Sequence, residues 1–218
     1  MYSVNRKFCM DRVPELIGAF MEPYQEASGL EFRISQAVVL PLLGLALKDD
    51  HLAAVNLGCM CKAEVYVDKN LKRALEFFLI AAKSDSLSVA CEIGSIYGAS
   101  TSPFYNIDKA FRYFWEAAEA GDAAAQFNVG VILSQRKGKM GEAVQWYEKA
   151  VANNHAGACI NLAIIYTNGH ADLLVKNNDV PRALERARNL FQQAVELGCP
   201  TAQEALEAFE KLVKASSN

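Results

Sequence analysis

The sequence predicts an all-α fold, an α-solenoid of stacked antiparallel helix pairs. Three regularities point to it. An aliphatic residue followed by a small one recurs as Leu57-Gly58, Ile93-Gly94, Val129-Gly130 and Leu162-Ala163, in steps of 36, 36 and 33 residues. An alanine followed by aromatics or leucine and then a small pair recurs from Ala74 (Phe77, Phe78, Ala81-Ala82), Ala110 (Tyr113, Phe114, Trp115, Ala117-Ala118), Ala143 (Trp146, Tyr147, Ala150-Val151) and Ala187 (Leu190, Phe191, Ala194-Val195). A constant step of seven residues then leads from Ala82 to Val89, Ala118 to Ala125, Val151 to Ala158 and Val195 to Ala202. Tandem self-similarity at this period is the signature of a repeat architecture, in which one unit cannot bury its apolar face alone.

Each unit reads as two amphipathic helices, because its apolar residues fall at i, i+3, i+4, i+7 and i+8. Helix A carries the aliphatic-small step and helix B the alanine-aromatic set. The stretch WEAAEAGDAAAQFNVG, residues 115–130, is then a joint. Gly121 suits the left-handed position that ends helix B, and Asp122 suits the N-cap of the next helix A. Ser84-Asp85, Asn153-Asn154 and Gly198-Cys199 occupy the same place in the other joints.

The predicted units are 51–86, 87–122, 123–155 and 156–199. Residues 200–218 are predicted to be a capping helix A, with Ala202 and Leu206 on repeat positions, and a short tail. Residues 1–50 are predicted to be a degenerate first pair, with Val38, Leu42 and Leu45-Ala46 as its helix B and a kink or break at Pro41. Pro23 is predicted to bend or end its helix A.

These residues resemble the Sel1-like repeat, a relative of the tetratricopeptide repeat. Val89, Ile93-Gly94, Tyr97-Gly98, Lys109-Ala110, Tyr113-Phe114, Ala117-Ala118 and Gly121 follow its pattern most closely, and the fourth unit keeps Ala158, Leu162, Tyr166, Gly169 and Gly198. The first unit departs with Cys61 in place of the tyrosine, and the third with Leu133 and a shortened loop. The resemblance implies an interaction scaffold or adaptor that binds another protein, a segment or a globular client, and is not an enzyme. It also implies that the A helices line a concave groove. Two columns would face it: Val55, Cys91, Phe127 and Ile160, and Cys59, Ser95, Val131 and Ile164. Asn56, Glu92, Asn128 and Asn161 run between them. An amide there either bonds a partner's backbone or fixes the stacking of neighbouring helices. The alternative role is an immunity or inhibitor protein that occludes a toxin or enzyme one to one.

Chemistry-bearing motifs are sparse. The three histidines make no metalloprotease pair. Cys59 and Cys61 would point about 200° apart on a helix and cannot close on one ion. His155 and Cys159 lack the further ligands a structural zinc needs. RKGKMGEA, residues 136–143, lacks phosphate-loop spacing and reads as a helix–helix loop. The recurring aromatics read as core. We therefore expect no catalytic residue, no metal and no cofactor.

The 218 residues carry 22 basic and 25 acidic side chains, a net charge of −3, with no basic block, which argues against nucleic acid. The longest apolar run, residues 37–47, is too short to span a bilayer. No secretory signal is read at the N-terminus. The six cysteines read as mostly reduced, buried thiols. A cytoplasmic monomer is the expectation. The fourth unit also carries eight extra residues within 168–186, including Leu173-Leu174-Val175. They read either as a partner-binding loop or as packing with an added helical turn begun at Asp179 and Pro181.

Overall fold

The computed structural model describes residues 39–46, 48, 50–63, 70–168 and 180–216. Among the described residues there are ten helices and no strand. Helix α1 runs through 39–46. It is followed by α2 (His51–Ala63), α3 (Leu71–Ala81), α4 (Leu87–Gly98), α5 (Ile107–Glu119), α6 (Ala123–Ser134), α7 (Met140–Ala152), α8 (Ala156–Thr167), α9 (Val180–Glu196) and α10 (Ala202–Ser216). The chain divides within α5 into two compact units, Met1–Ala110 and Phe111–Asn218.

In the first unit α2 and α3 form a tight antiparallel pair, and α4 packs on α3. Leu57, Phe78, Val89 and Ile93 are fully buried between them. His51 fastens three elements: its Nδ1 donates to the Ala81 carbonyl at 3.0 Å, and its Nε2 lies 3.1 Å from Ser88 Oγ. In the second unit α6 pairs with α7 and α8 with α9, while α8 packs on α7 and α10 on α9.

The aliphatic-small step has a steric cause. A Cβ added at Gly58 would stand 2.6 Å from the Phe78 ring, and one added at Gly130 would stand 2.7 Å from the Tyr147 ring. The glycine of helix A is thus the slot for an aromatic of its own helix B. The two patterns read separately in the sequence are two halves of one contact.

The joints are built as the sequence predicts. Gly121, Asn154 and Gly198 have φ of +99°, +60° and +75°. At each, two bonds close the end of helix B: Gly121 N–H donates to Ala118 O and Asp122 N–H to Ala117 O, and residues 154–155 and 198–199 repeat the pattern on 150–151 and 194–195. A side-chain acceptor then starts the next helix A. Asp122 accepts from Ala125 N–H at 2.6 Å, Asp85 from Ser88 N–H at 3.3 Å, and His155 Nδ1 from Ala158 N–H at 3.2 Å. The sequence reading did not give His155 this capping role.

Helix α10 continues the register with a change of chemistry. Ala202 is buried at the repeat position, but exposed Glu207 stands where the other A helices have Gly or Ala. Glu210, three residues on, pairs with Arg188 of α9 at 2.6 Å.

Two expectations are corrected at the N-terminal end. The buried residues of α1 are Val39, Leu43 and Ala46: Ala46 is buried as expected, while Leu43 takes the place predicted for Leu42 and Leu45 is exposed. The helix is continuous from 39 through Pro41 to 46, so the break expected at this proline is absent from the described residues. The predicted break at Pro23, the earlier part of the first pair, and the inserted Leu173-Leu174-Val175 lie outside the described residues. Helix α9 does begin at Val180 and has 17 residues against 13 in α7, so an added helical turn accounts for part of the insertion.

Candidate functional site

The twelve candidate residues fall six to each unit. In the first unit, Val55, Asn56 and Cys59 share the face of α2 turned away from buried Leu57 and Cys61, and Cys91, Glu92 and Ser95 take the same places on α4. This set is tied by charge. Lys62 Nζ lies 2.6 Å from Glu92 Oε2 and donates to Ser95 Oγ at 2.6 Å. Ser95 Oγ donates in turn to the Glu92 carbonyl at 2.7 Å. Two members of this set, Glu92 and Ser95, are thus held in a cross-helix polar cluster. Lys62 carries it, and sequence reasoning missed Lys62 because it stands one turn outside the repeat columns.

In the second unit, Phe127, Asn128 and Val131 lie on one face of α6, and Ile160, Asn161 and Ile164 on one face of α8. These faces are half-buried or exposed, whereas Ala125, Val129, Ile132 and Leu133, like Leu162 and Ile165, are buried. Ile164 is 43% exposed. Phe127 is committed within the fold: its ring stacks on His155 with centroids 4.5 Å apart and meets Tyr147 at 6.0 Å. Asn161 Nδ2 donates to the Tyr147 hydroxyl at 3.3 Å. Of the two readings of the asparagines, Asn161 follows the stacking one. Asn56 and Asn128 have no side-chain hydrogen bond among the described residues, which leaves their amides available.

The electrostatics discourage catalysis by these groups. Burial raises the Cys159 thiol above its ordinary range and pushes Cys61 up to about 11. Cys59 is also raised, by partial enclosure of its sulfur and then by the Glu92 carboxylate. Thiols held up in this way are poor nucleophiles at neutral pH. The expectation of buried cysteines is corrected for Cys59, which is exposed, and for Cys91 and Cys199, which are half-buried. On a helix the residue two before a buried one faces outward, so Cys61 enters the core and Cys59 leaves it. Burial lowers the His155 imidazole below its ordinary value, and nearby Asp122 opposes that shift. Among the described residues no group of three or more His, Cys, Asp or Glu could hold a metal ion. No helix among them is long and apolar enough to cross a membrane.

Two open clefts lie elsewhere in the second unit, and neither was read from the sequence. One, of about 410 Å³, is lined by Val151 of α7 and by Arg182, Glu185, Arg186, Asn189, Leu190 and Gln193 of α9. The other, of about 350 Å³, is lined by Phe111, Arg112, Trp115 and Glu116 of α5. Trp115, expected in the core, is half-exposed there.

Comparison with known proteins agrees with this architecture. The Sel1 repeat model matches residues 51–86, 89–122, 123–155 and 156–199, together about two thirds of the chain. The DAP3-binding cell death enhancer 1 of Rattus norvegicus is 28% identical over 102 residues, 45% of this chain and 20% of that protein. The chain thus spans about a fifth of the length of that curated relative. A protective antigen of uropathogenic Escherichia coli strains, displaying an SLR fold, superposes with a TM-score of 0.66 at 19% identity, over 93% of this chain and 40% of its own. An immunity protein from Pseudomonas aeruginosa superposes with a TM-score of 0.50 at 14% identity, over 99% of this chain and 86% of its own.

Proposed function

The chain belongs to the Sel1 repeat family, and on that premise we propose that it is a non-enzymatic binding module whose A-helix faces hold a segment of another protein. The observation that carries this reading is the unspent apolar surface of the second unit: Val131 and Ile160 are half-buried and Ile164 is exposed, beside the uncommitted amide of Asn128. Aliphatic side chains at one-turn intervals match the apolar face of a helical or extended partner segment, and an amide can bond its backbone. In the first unit the same positions present Val55, Asn56, Cys59 and Cys91 around the Lys62–Glu92 pair, a surface suited to a more polar stretch. The predicted divisions 1–50, 51–199 and 200–218 are retained as the working units of this reading, for a monomer in a cytoplasm that keeps exposed Cys59 reduced.

The test is site-specific photocrosslinking from positions 131 and 164, followed by Val131→Glu with Ile164→Glu. Both side chains lie outside the core, so the fold should survive, as circular dichroism would verify. Crosslinks to one partner, lost in the double variant, are expected. A partner retained at full affinity by the double variant refutes the assignment.

The second reading is an inhibitor that occludes an enzyme one to one. It is favoured by the near-equal extents over which this chain and the Pseudomonas immunity protein superpose, a likeness of fold. A stoichiometric complex that silences one enzyme would establish it, and several unrelated partners sharing the surface would exclude it.

A further inference from the structure

We propose that α10 is a self-association site, through which two copies of the chain pair antiparallel about a two-fold axis. The helix has two apolar faces. One, with buried Ala202 and Phe209, packs into its own chain. The other is Ala205, Ala208, Leu212 and Ala215, with Thr201 just ahead of the helix. The steps along it are 4, 3, 4 and 3 residues, which is the seam of a helix that packs along another helix. Ala205 on this seam is half-buried; the rest is exposed, Leu212 at 57%. Glu204, Ala205 and Ala208 stand 44 residues after Ile160, Asn161 and Ile164, so the seam holds the same repeat positions with different side chains. The inference does not rest on a partner being bound there, because pairing requires this chain alone.

Charge identifies the occupant. The charged residues of α10 are Glu204, Glu207, Glu210, Lys211 and Lys214. Glu210 pairs with Arg188 of α9, and Glu207 accepts from Gln203 Nε2 at 2.9 Å. Both lie away from the seam, as does Lys214, one turn beyond Glu210. Glu204 and Lys211 border the seam on one side, and neither has an ion pair or side-chain hydrogen bond among the described residues. With the axis level with residues 206–207, Ala205 meets Ala208 of the second copy, Leu212 covers its Thr201, and Glu204 lies beside its Lys211. The symmetry repeats each contact, so both charges of both copies are paired. A slip of one heptad either way would set Glu204 against Glu204 or Lys211 against Lys211. A parallel pair would leave both charges against Ala202 and Phe209, which offer no counter-charge. One register of one orientation satisfies the helix, and its complement is a second copy. A single pair of helices falls below the roughly 1,200 Å² of stable interfaces, so the pairing is weak and the dilute chain stays the monomer of the preceding reading.

Sedimentation velocity of the full chain between about 5 and 500 µM reads the pairing, since a weak dimer is governed by protomer concentration. The parent should pass from monomer to dimer and no further. Glu204→Lys sets lysine beside lysine, and Lys211→Glu sets glutamate beside glutamate, so each should weaken the Kd about tenfold. An equimolar mixture of these two variants should recover the parent's affinity, because every charged contact across the axis is then between opposite signs. Leu212→Glu, at an exposed position, should abolish pairing with the circular dichroism unchanged. A parent that remains monomeric throughout leaves the seam to some other occupant and overturns the proposal. A mixture that associates no better than its components overturns it too. Association undiminished in Leu212→Glu places the contact on another surface, and growth past the dimer excludes the two-fold; either result is equally fatal.

Discussion

Gly130→Ala isolates the contact on which the repeat is built. Three terms set its effect. Alanine gains about 1 kcal/mol of helix propensity over glycine in a helix interior. Its buried methyl adds about 0.8 kcal/mol of transfer free energy if it can be housed. Against these, the new Cβ would stand 2.7 Å from two carbons of the Tyr147 ring. Ordinary contact begins near 3.4 Å, so the ring must retreat by about 0.7 Å, beyond what packed interiors absorb freely. Tyr147 is 2% exposed, its hydroxyl accepts from Asn161, and Phe127 stands on another side. Overpacking costs typically 1–3 kcal/mol, and ejecting a core aromatic about 3–5 kcal/mol. The steric term wins, and a net loss of about 2 kcal/mol is expected. Urea unfolding followed by tryptophan fluorescence is the assay, because Trp115 and Trp146 both lie in the second unit. Gly141→Ala is the control. That helical glycine has nothing within 4 Å of its ideal Cβ, so alanine should stabilise by up to about 1 kcal/mol. In Tyr147→Ala the second change, Gly130→Ala, should become neutral or favourable, a coupling of about 1–3 kcal/mol. If Gly130→Ala is as stable as the parent, glycine is not there to admit the ring.

Two further outcomes follow from the joints. His155 caps α8 through unprotonated Nδ1, and burial lowers its folded pKa, with Asp122 the charged group that opposes the shift. The unfolded chain therefore takes up the proton first, so the contribution is complete above about pH 6.5 and is lost as pH falls through the folded pKa. Between pH 7.5 and 5.5 the parent should lose more stability than His155→Asn, which keeps a capping acceptor and does not titrate; identical losses would exclude this role. Gly121→Ala meets no neighbour, yet its φ is +99°. It should destabilise by about 1–2 kcal/mol through the backbone alone, and an unchanged urea midpoint would refute that.

These perturbations show why some of the molecule could be read in advance and some could not. The joints were legible because left-handed backbone and an orphan helix N-terminus each admit few residue types, so Gly121-Asp122 announces both at once. The aliphatic-small step was legible because any side chain at Gly58 or Gly130 collides with an aromatic of the same repeat. His155 was missed as a cap because imidazole is an uncommon acceptor there. The α1 register was missed because Pro41 and an almost unbroken run of aliphatic residues around Gly44 blur its period. The columns proposed to face a partner behave differently. Cys59, Ser95, Val131 and Ile164 hold one repeat position, yet they range from a thiol and a hydroxyl to two branched aliphatics and from half-buried to exposed. What varies there, from the Lys62–Glu92 pair in the first unit to exposed Ile164 in the second, is not dictated by the repeat's own packing, and the proposed function assigns it to a partner. Regularity in this sequence therefore locates the scaffold, and the binding surface has to be sought where the repeat stops repeating.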